Sequence, residues 1–241
     1  MKKELLIASV FAATIAGAGS VTTSNMMGYV PVEGAPSAAV ADGYKMYMVV
    51  APFEGYDAGQ QISLAEVIQT AGLSENDEIF IPIATGYANY KLNGSKSWVA
   101  SKNVTIASDG TVTEISGTPA ASAMIARGKG FWVKTKATSL SLFGNAVTAA
   151  TQVSAVAGDS KFAWTMIGST LNGPIAISNL SGIGAQGDVI VLANGTRYTK
   201  GVLAWRNTTS GKPVELTDSD KIPAGVGFWY ASKSGLQDVN L

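Results

Sequence analysis

A six-residue pattern written twice constrains this chain more than any other feature. Gly128-Lys129-Gly130-Phe131-Trp132-Val133 returns as Gly225-Val226-Gly227-Phe228-Trp229-Tyr230, with Ile125 and Ile222 at the same distance ahead. Other landmarks keep the same order around it. Tyr44 to Val50 matches Phe162 to Gly168 as an opening strand, and Ile62-Ser63-Leu64 resembles Ile175-Ala176-Ile177. Asp77-Glu78-Ile79-Phe80-Ile81 resembles Asp188-Val189-Ile190-Val191, and Tyr90 and Trp98 stand opposite Tyr198 and Trp205. Repeated order at this spacing marks one structural unit present in two divergent copies.

Local signals within each copy are those of strands. Met46 to Val50, Ile79 to Ile83, Val189 to Leu192 and Phe228 to Ala231 are short apolar, β-branched or aromatic runs bounded by Gly, Asn, Asp or Pro. Asn93-Gly94 and Asn194-Gly195 carry the pair that tolerates positive φ in tight hairpins. One helix is expected, where Ser63-Leu64-Ala65-Glu66 forms a capping box and the segment stops at Gly72. Its counterpart, Ser178 to Gly184, is glycine-rich and reads as a turn. The first copy is longer by a hairpin-like stretch in Ser101 to Ala123 around Asp109-Gly110. The expected fold is all-β with one or two short helices, in two tandem divergent β-sandwich or barrel-like domains.

The first twenty residues are set apart. Lys2 and Lys3 precede the apolar stretch Leu5 to Ala16, and Ala16-Gly17-Ala18 supplies small residues for cleavage. That order predicts a secretory signal over residues 1–20, with the apolar run too short to span a bilayer. Residues 21–42 follow as an N-terminal segment, in which Met26 to Val32 reads as an edge strand because it contains Pro31. That strand either completes the first domain or pairs with a neighbouring molecule. The first domain is expected over 43–148, a Thr/Ala/Ser/Gly-rich linker over 149–160, and the second domain over 161–241. Export to the periplasm, cell surface or medium follows from the signal.

Composition removes several functions. Lys plus Arg and Asp plus Glu both count 17 and no run of like charge occurs, so no basic stripe is present for nucleic acid. Histidine and cysteine are both absent, which rules out imidazole-based triads, thiolate nucleophiles and thiolate metal sites. Charged residues make up 14% of the chain, so Ser, Thr, Asn and Gly must cover much of the surface. The Gly-x-Gly pair is followed by a strand instead of a helix, the wrong context for a dinucleotide loop. Long apolar–polar alternation, the mark of an outer-membrane barrel, is not the pattern of Met46 to Val50 or Val189 to Leu192. No cofactor and no metal are expected.

The candidate binding residues are aromatic. Successive strand positions face opposite ways, so in each Gly-x-Gly-Phe-Trp one ring enters a core and the other faces solvent or the neighbouring domain. Trp132 and Trp229, with Trp98 and Trp205, are candidate platforms for sugar rings; packing is the leading alternative, since Trp is usually largely buried. Glu75, Asp77 and Glu78, and the pair Asp218 and Asp220, offer oxygen ligands without the spacing of a calcium loop and read as solvated turns.

The opening Thr23-Ser24-Asn25-Met26-Met27-Gly28-Tyr29-Val30, with a Gly-x-Gly-Phe-Trp strand near each domain's end, resembles a group of uncharacterised exported bacterial β-repeat proteins. These begin with a similar Thr-Ser-x-x-x-Gly-Tyr stretch. The resemblance implies export and a β-domain, and no activity. The expected function is a non-catalytic structural or adhesive role in the envelope or outside the cell, with itself or surface glycans as partner. A carbohydrate-binding module using exposed tryptophans is the alternative, and a glycoside hydrolase built on carboxylates alone is the third reading.

Overall fold

The computed structural model describes residues 27–32, 41–54, 61–68, 72–83, 86–106, 112–115, 124–147, 150–158 and 161–241. The signal expected over 1–20, the start of the opening motif at Thr23 to Met26, and Asp109-Gly110 lie outside the described residues.

The fold is all-β. In the first half, β2 (Lys45–Val50), β4 (Glu78–Ile83), β5 (Gly86–Leu92), β6 (Trp98–Ile106), β7 (Val112–Ile115) and β9 (Gly130–Thr135) form an antiparallel sheet in the order β2-β9-β4-β5-β6-β7. Two short ladders accompany it: β1 (Met27–Pro31) with β10 (Ser141–Asn145), and β3 (Gln61–Ser63) with β8 (Met124–Ala126). In the second half, β12 (Ala163–Gly168), β14 (Val189–Val191), β15 (Arg197–Lys200), β16 (Trp205–Asn207) and β18 (Gly227–Ser232) form a sheet in the order β12-β18-β14-β15-β16. Its accompanying ladders are β11 (Gln152–Ala155) with β19 (Leu236–Asn240), and β13 (Ile175–Ala176) with β17 (Lys221–Ile222). Strand for strand the two halves share one topology, and β7 is the addition in the first. The hairpin-like insertion is therefore an extra edge strand, joined to β6 through Ile106 and Val112.

Register reproduces the repeat residue by residue. Ile62 pairs with Ile125 in one half and Ile175 with Ile222 in the other. One row of the first sheet runs Tyr47, Val133, Ile79, Tyr90; the matching row of the second runs Thr165, Tyr230, Ile190, Tyr198. Apart from the half-buried Thr165, these rows face the interior, where the short ladders cover them and Leu64 and Val67 of the single-turn helix α1 (Leu64–Val67) pack in. The capping box expected at Ser63 and Glu66 is present, and Ile68 ends the helix in extended backbone. The counterpart in the second half is a 3-10 turn over Ile177–Leu180.

Two segments outside the expected domains contain strands. Residues 149–160, read as a linker, contain β11, which pairs with the terminal β19. Residues 21–42 contain β1, the counterpart of β11, and β1 pairs with β10 of its own chain. Gly28 suits this pairing, since a Cβ there would stand 2.3 Å from Phe53 Cε1.

The halves meet through a pseudo-twofold junction at their edge strands. The Val50 N–H donates to Gly225 O at 3.0 Å, and the equivalent Gly168 N–H donates to Gly128 O at 3.0 Å. Met166 lies over Gly130 and Met48 over Gly227, where a Cβ would stand 2.4 Å and 3.4 Å from the respective Cγ atoms. This explains why Met46 to Val50 is apolar without alternation: Val49 faces its own core, while Met48 and Val50 face the other repeat.

Candidate functional site

Outward-facing rows of the two sheets carry the repeated tryptophans. Met48, Trp132, Phe80 and Asn89 form this row in the first sheet, and Met166, Trp229, Val191 and Arg197 in the second. Phe131 and Phe228 point the other way and are fully buried. The glycines ahead of them let the neighbouring repeat approach closely, which is why an outward Trp ends beside the junction.

On one side of the junction the outward faces diverge into a groove of about 780 Å³. Trp164, Met166 and Trp229 form one wall. Ile81, Ile83 and Tyr87 of the β4–β5 hairpin form the other, with Met124 of β8 and Lys129 at the repeat's Gly-x-Gly. The hairpin reaches this far because its ladder runs through six residue pairs, from Glu78–Lys91 to Ile83–Gly86, against three in the β14–β15 hairpin. The duplication thus leaves a groove where its copies differ in length.

Large apolar side chains are open to solvent around the groove: Trp164 is 52% exposed, Met124 51%, Val156 64% and Ile83 40%. Trp164 and Trp229 meet edge to face, with centroids 6.4 Å apart and planes at 87°. This presents one broad indole to the groove and fixes it against a second. Lys129 reaches across the junction, its Nζ donating to Ser154 O at 3.2 Å. Among the described residues no carboxylate lies within ion-pair distance of that amine.

The four tryptophans singled out in the sequence occupy four different settings. Trp229 lines the groove. Trp132 does not line it; burial raises the pKa of the Tyr87 hydroxyl, and the Trp132 side chain partly lowers it. Trp98 is half-buried against the core, and its Nε1 has no hydrogen-bond partner among the described residues. Trp205 is 1% exposed, donates its Nε1 to Leu180 O at 2.8 Å and packs edge to face on Tyr230. Of these only Trp229 is presented to the groove, and its partner there is Trp164. Trp164 was not singled out because its repeat counterpart is Met46. The register that finds it was nevertheless readable, since pairing β12 with β18 sets Met166 beside Trp229 and Trp164 one outward position further on.

Five carboxylates are engaged away from the groove. Asp77 and Asp188 occupy equivalent buried positions at the head of β4 and β14. Asp77 Oδ2 accepts from the Ser74 N–H at 2.9 Å and Thr135 Oγ1 at 2.5 Å. Asp188 accepts from the Ala185 N–H at 2.8 Å, Tyr230 hydroxyl at 2.5 Å and Ser232 Oγ at 2.8 Å. Glu78 pairs with Lys134 at 2.7 Å, and Glu54 with Arg127 at 3.0 Å. Asp220 accepts from Asn207 Nδ2 and from the Thr217 N–H and hydroxyl. Asp77 and Asp220 therefore hold turns and strand ends, and among the described residues no group of acidic side chains forms a metal cluster. No helix of the described residues is long and apolar enough to cross a membrane.

Comparison with protein families, curated proteins and solved structures finds no match for this chain.

Proposed function

We propose that this is a non-catalytic exported protein of structural or adhesive kind, which makes contact through the groove between its two β-repeats. One observation carries the reading: the groove presents a fixed, half-exposed indole, Trp164, among aliphatic side chains, with Lys129 as the lone ionisable chain among the described residues at its rim apart from the phenol of Tyr87. Such a surface holds a partner by burial and shape, and supplies neither a proton-transfer pair nor a nucleophile with a base. The carboxylates discussed above support the same reading, because each is spent on a structural hydrogen bond or ion pair. The signal-like start and the surface poor in charge support a place outside the cytoplasm.

The second reading is glycan recognition, favoured by the open face of Trp164, which can stack on a sugar ring. The test is retention of the full chain on polysaccharide-coated and alkyl-coated surfaces. The expected result is saturable retention on one of them, weakened roughly tenfold or more by Trp164→Ala. Retention indifferent to Trp164→Ala, or hydrolysis of a glycoside that a single carboxylate substitution abolishes, overturns the proposal.

A further inference from the structure

Resting on the reading of the groove as the contact surface, we infer that its ligand is a single alkyl chain ending in a carboxylate. Three features point there together. The volume of about 780 Å³ falls within the roughly 300–1,000 Å³ of small-molecule sites. The walls are aliphatic and indole: Ile81, Ile83, Met124, Met166, Trp164 and Trp229. Among the described residues the groove also has one cation, Lys129, whose amine is fixed by Ser154 O and has no carboxylate neighbour.

Polar capacity in the groove is too small for a sugar. Among the described lining residues only Thr165 and Tyr87 carry hydroxyls, and Thr165 Oγ1 already accepts from the Val156 N–H at 2.9 Å. A glycan would leave most of its hydroxyls unmatched against Ile, Met and Trp side chains, whereas an alkyl chain buries only apolar surface there. An anionic head then completes Lys129, whose other two N–H donors have no partner among the described residues. A neutral or cationic head does not.

The experiment is fluorescence titration of the full chain with decanoate, dodecanoate and tetradecanoate below their micelle concentrations, beside dodecanol and dodecyltrimethylammonium. Binding should be saturable and should tighten by up to about fourfold per added methylene until the groove is filled. Lys129→Gln should weaken dodecanoate about tenfold and leave dodecanol unchanged. Trp164→Ala should weaken both, with its melting temperature near that of the parent chain. No saturable change with any carboxylate, equal affinity for carboxylate and ammonium heads, or indifference to Lys129→Gln overturns the inference. If polysaccharide retention is lost in Trp164→Ala while the carboxylates fail to bind, the groove reading stands and the ligand class falls. If Trp164→Ala alters neither, both fall.

Discussion

The backbone N–H of Val50 donates to the carbonyl of Gly225 across the junction of the repeats at 3.0 Å. Its twin, Gly168 to Gly128, has the same length, so each half supplies one donor and one acceptor. This is the bonding of a two-fold interface, here formed within one chain. The first glycine of each Gly-x-Gly therefore serves as the acceptor at a junction, and its backbone shape matters more than any side chain.

Gly128 and Gly225 should respond unequally to alanine. Both have left-handed backbone, with φ of +79° and +71°, which disfavours any side chain. A Cβ at Gly128 would also stand 2.4 Å from Val153 Cγ1 and 2.7 Å from Thr170 Cγ2, whereas at Gly225 its nearest contacts are 3.1 Å away. Gly128→Ala should destabilise by about 2–4 kcal/mol, and Gly225→Ala by about 1–2 kcal/mol. Urea midpoints of the two variants measure this, and equal losses would contradict the packing account.

The tryptophans should divide into structural and surface classes. Trp205→Ala removes a fully buried indole and orphans Leu180 O, and should cost about 3–5 kcal/mol. Trp164→Ala removes a half-exposed ring whose main partner is Trp229, at about 1 kcal/mol. Thermal unfolding of both variants separates them. A large loss in Trp164→Ala would make the groove's indole part of the scaffold.

These two residues also show what a reader of the sequence can and cannot see. The duplication was legible because its marks are rare residue types at fixed spacing: Gly-x-Gly-Phe-Trp twice, and an Ile ahead of each. Those same residues set the register, Ile62 on Ile125 and Ile175 on Ile222. Strand β11 was hidden because Gln152-Val153-Ser154-Ala155 carries one large apolar residue and its partner lies at the far end of the chain. At Asn93-Gly94 a hairpin forms as expected, but Lys96 takes the positive φ of 58°, while at Asn194-Gly195 the glycine takes it. The groove was illegible for a different reason. It arises where two copies differ in hairpin length, and the side chain that dominates it has no aromatic counterpart in the other copy.

Alkaline pH should expose two phenols. Burial, reinforced by Asp188, pushes the Tyr230 hydroxyl far above its ordinary value, and burial with Asp220 does the same to Tyr198. Both groups keep their proton more firmly in the folded chain. Their contribution to stability is therefore complete below the unfolded pKa of about 10 and is lost as pH rises beyond it. Absorbance of phenolate against pH should show these two titrating only with unfolding, and Tyr230→Phe should flatten the alkaline loss. Smooth titration of every tyrosine near its ordinary value in a folded chain would contradict the burial of Asp188 and Tyr230.

Acid should act on Asp220 in the opposite sense. Desolvation raises its pKa, but the Thr217 N–H at 2.7 Å, Asn207 Nδ2 at 3.0 Å and the hydroxyls of Thr217 and Tyr198 outweigh it and hold the carboxyl below its ordinary value. A folded pKa below the unfolded one gives stability that is present above about pH 4 and disappears as pH falls through the folded value. Asp220→Asn keeps the shape and removes the charge, so its urea midpoint should lie below that of the parent chain at neutral pH. The two midpoints should converge as the carboxyl of the parent protonates. A gap that persists unchanged to about pH 2 would mean that Asn207 and Thr217 are held by contacts other than this carboxylate.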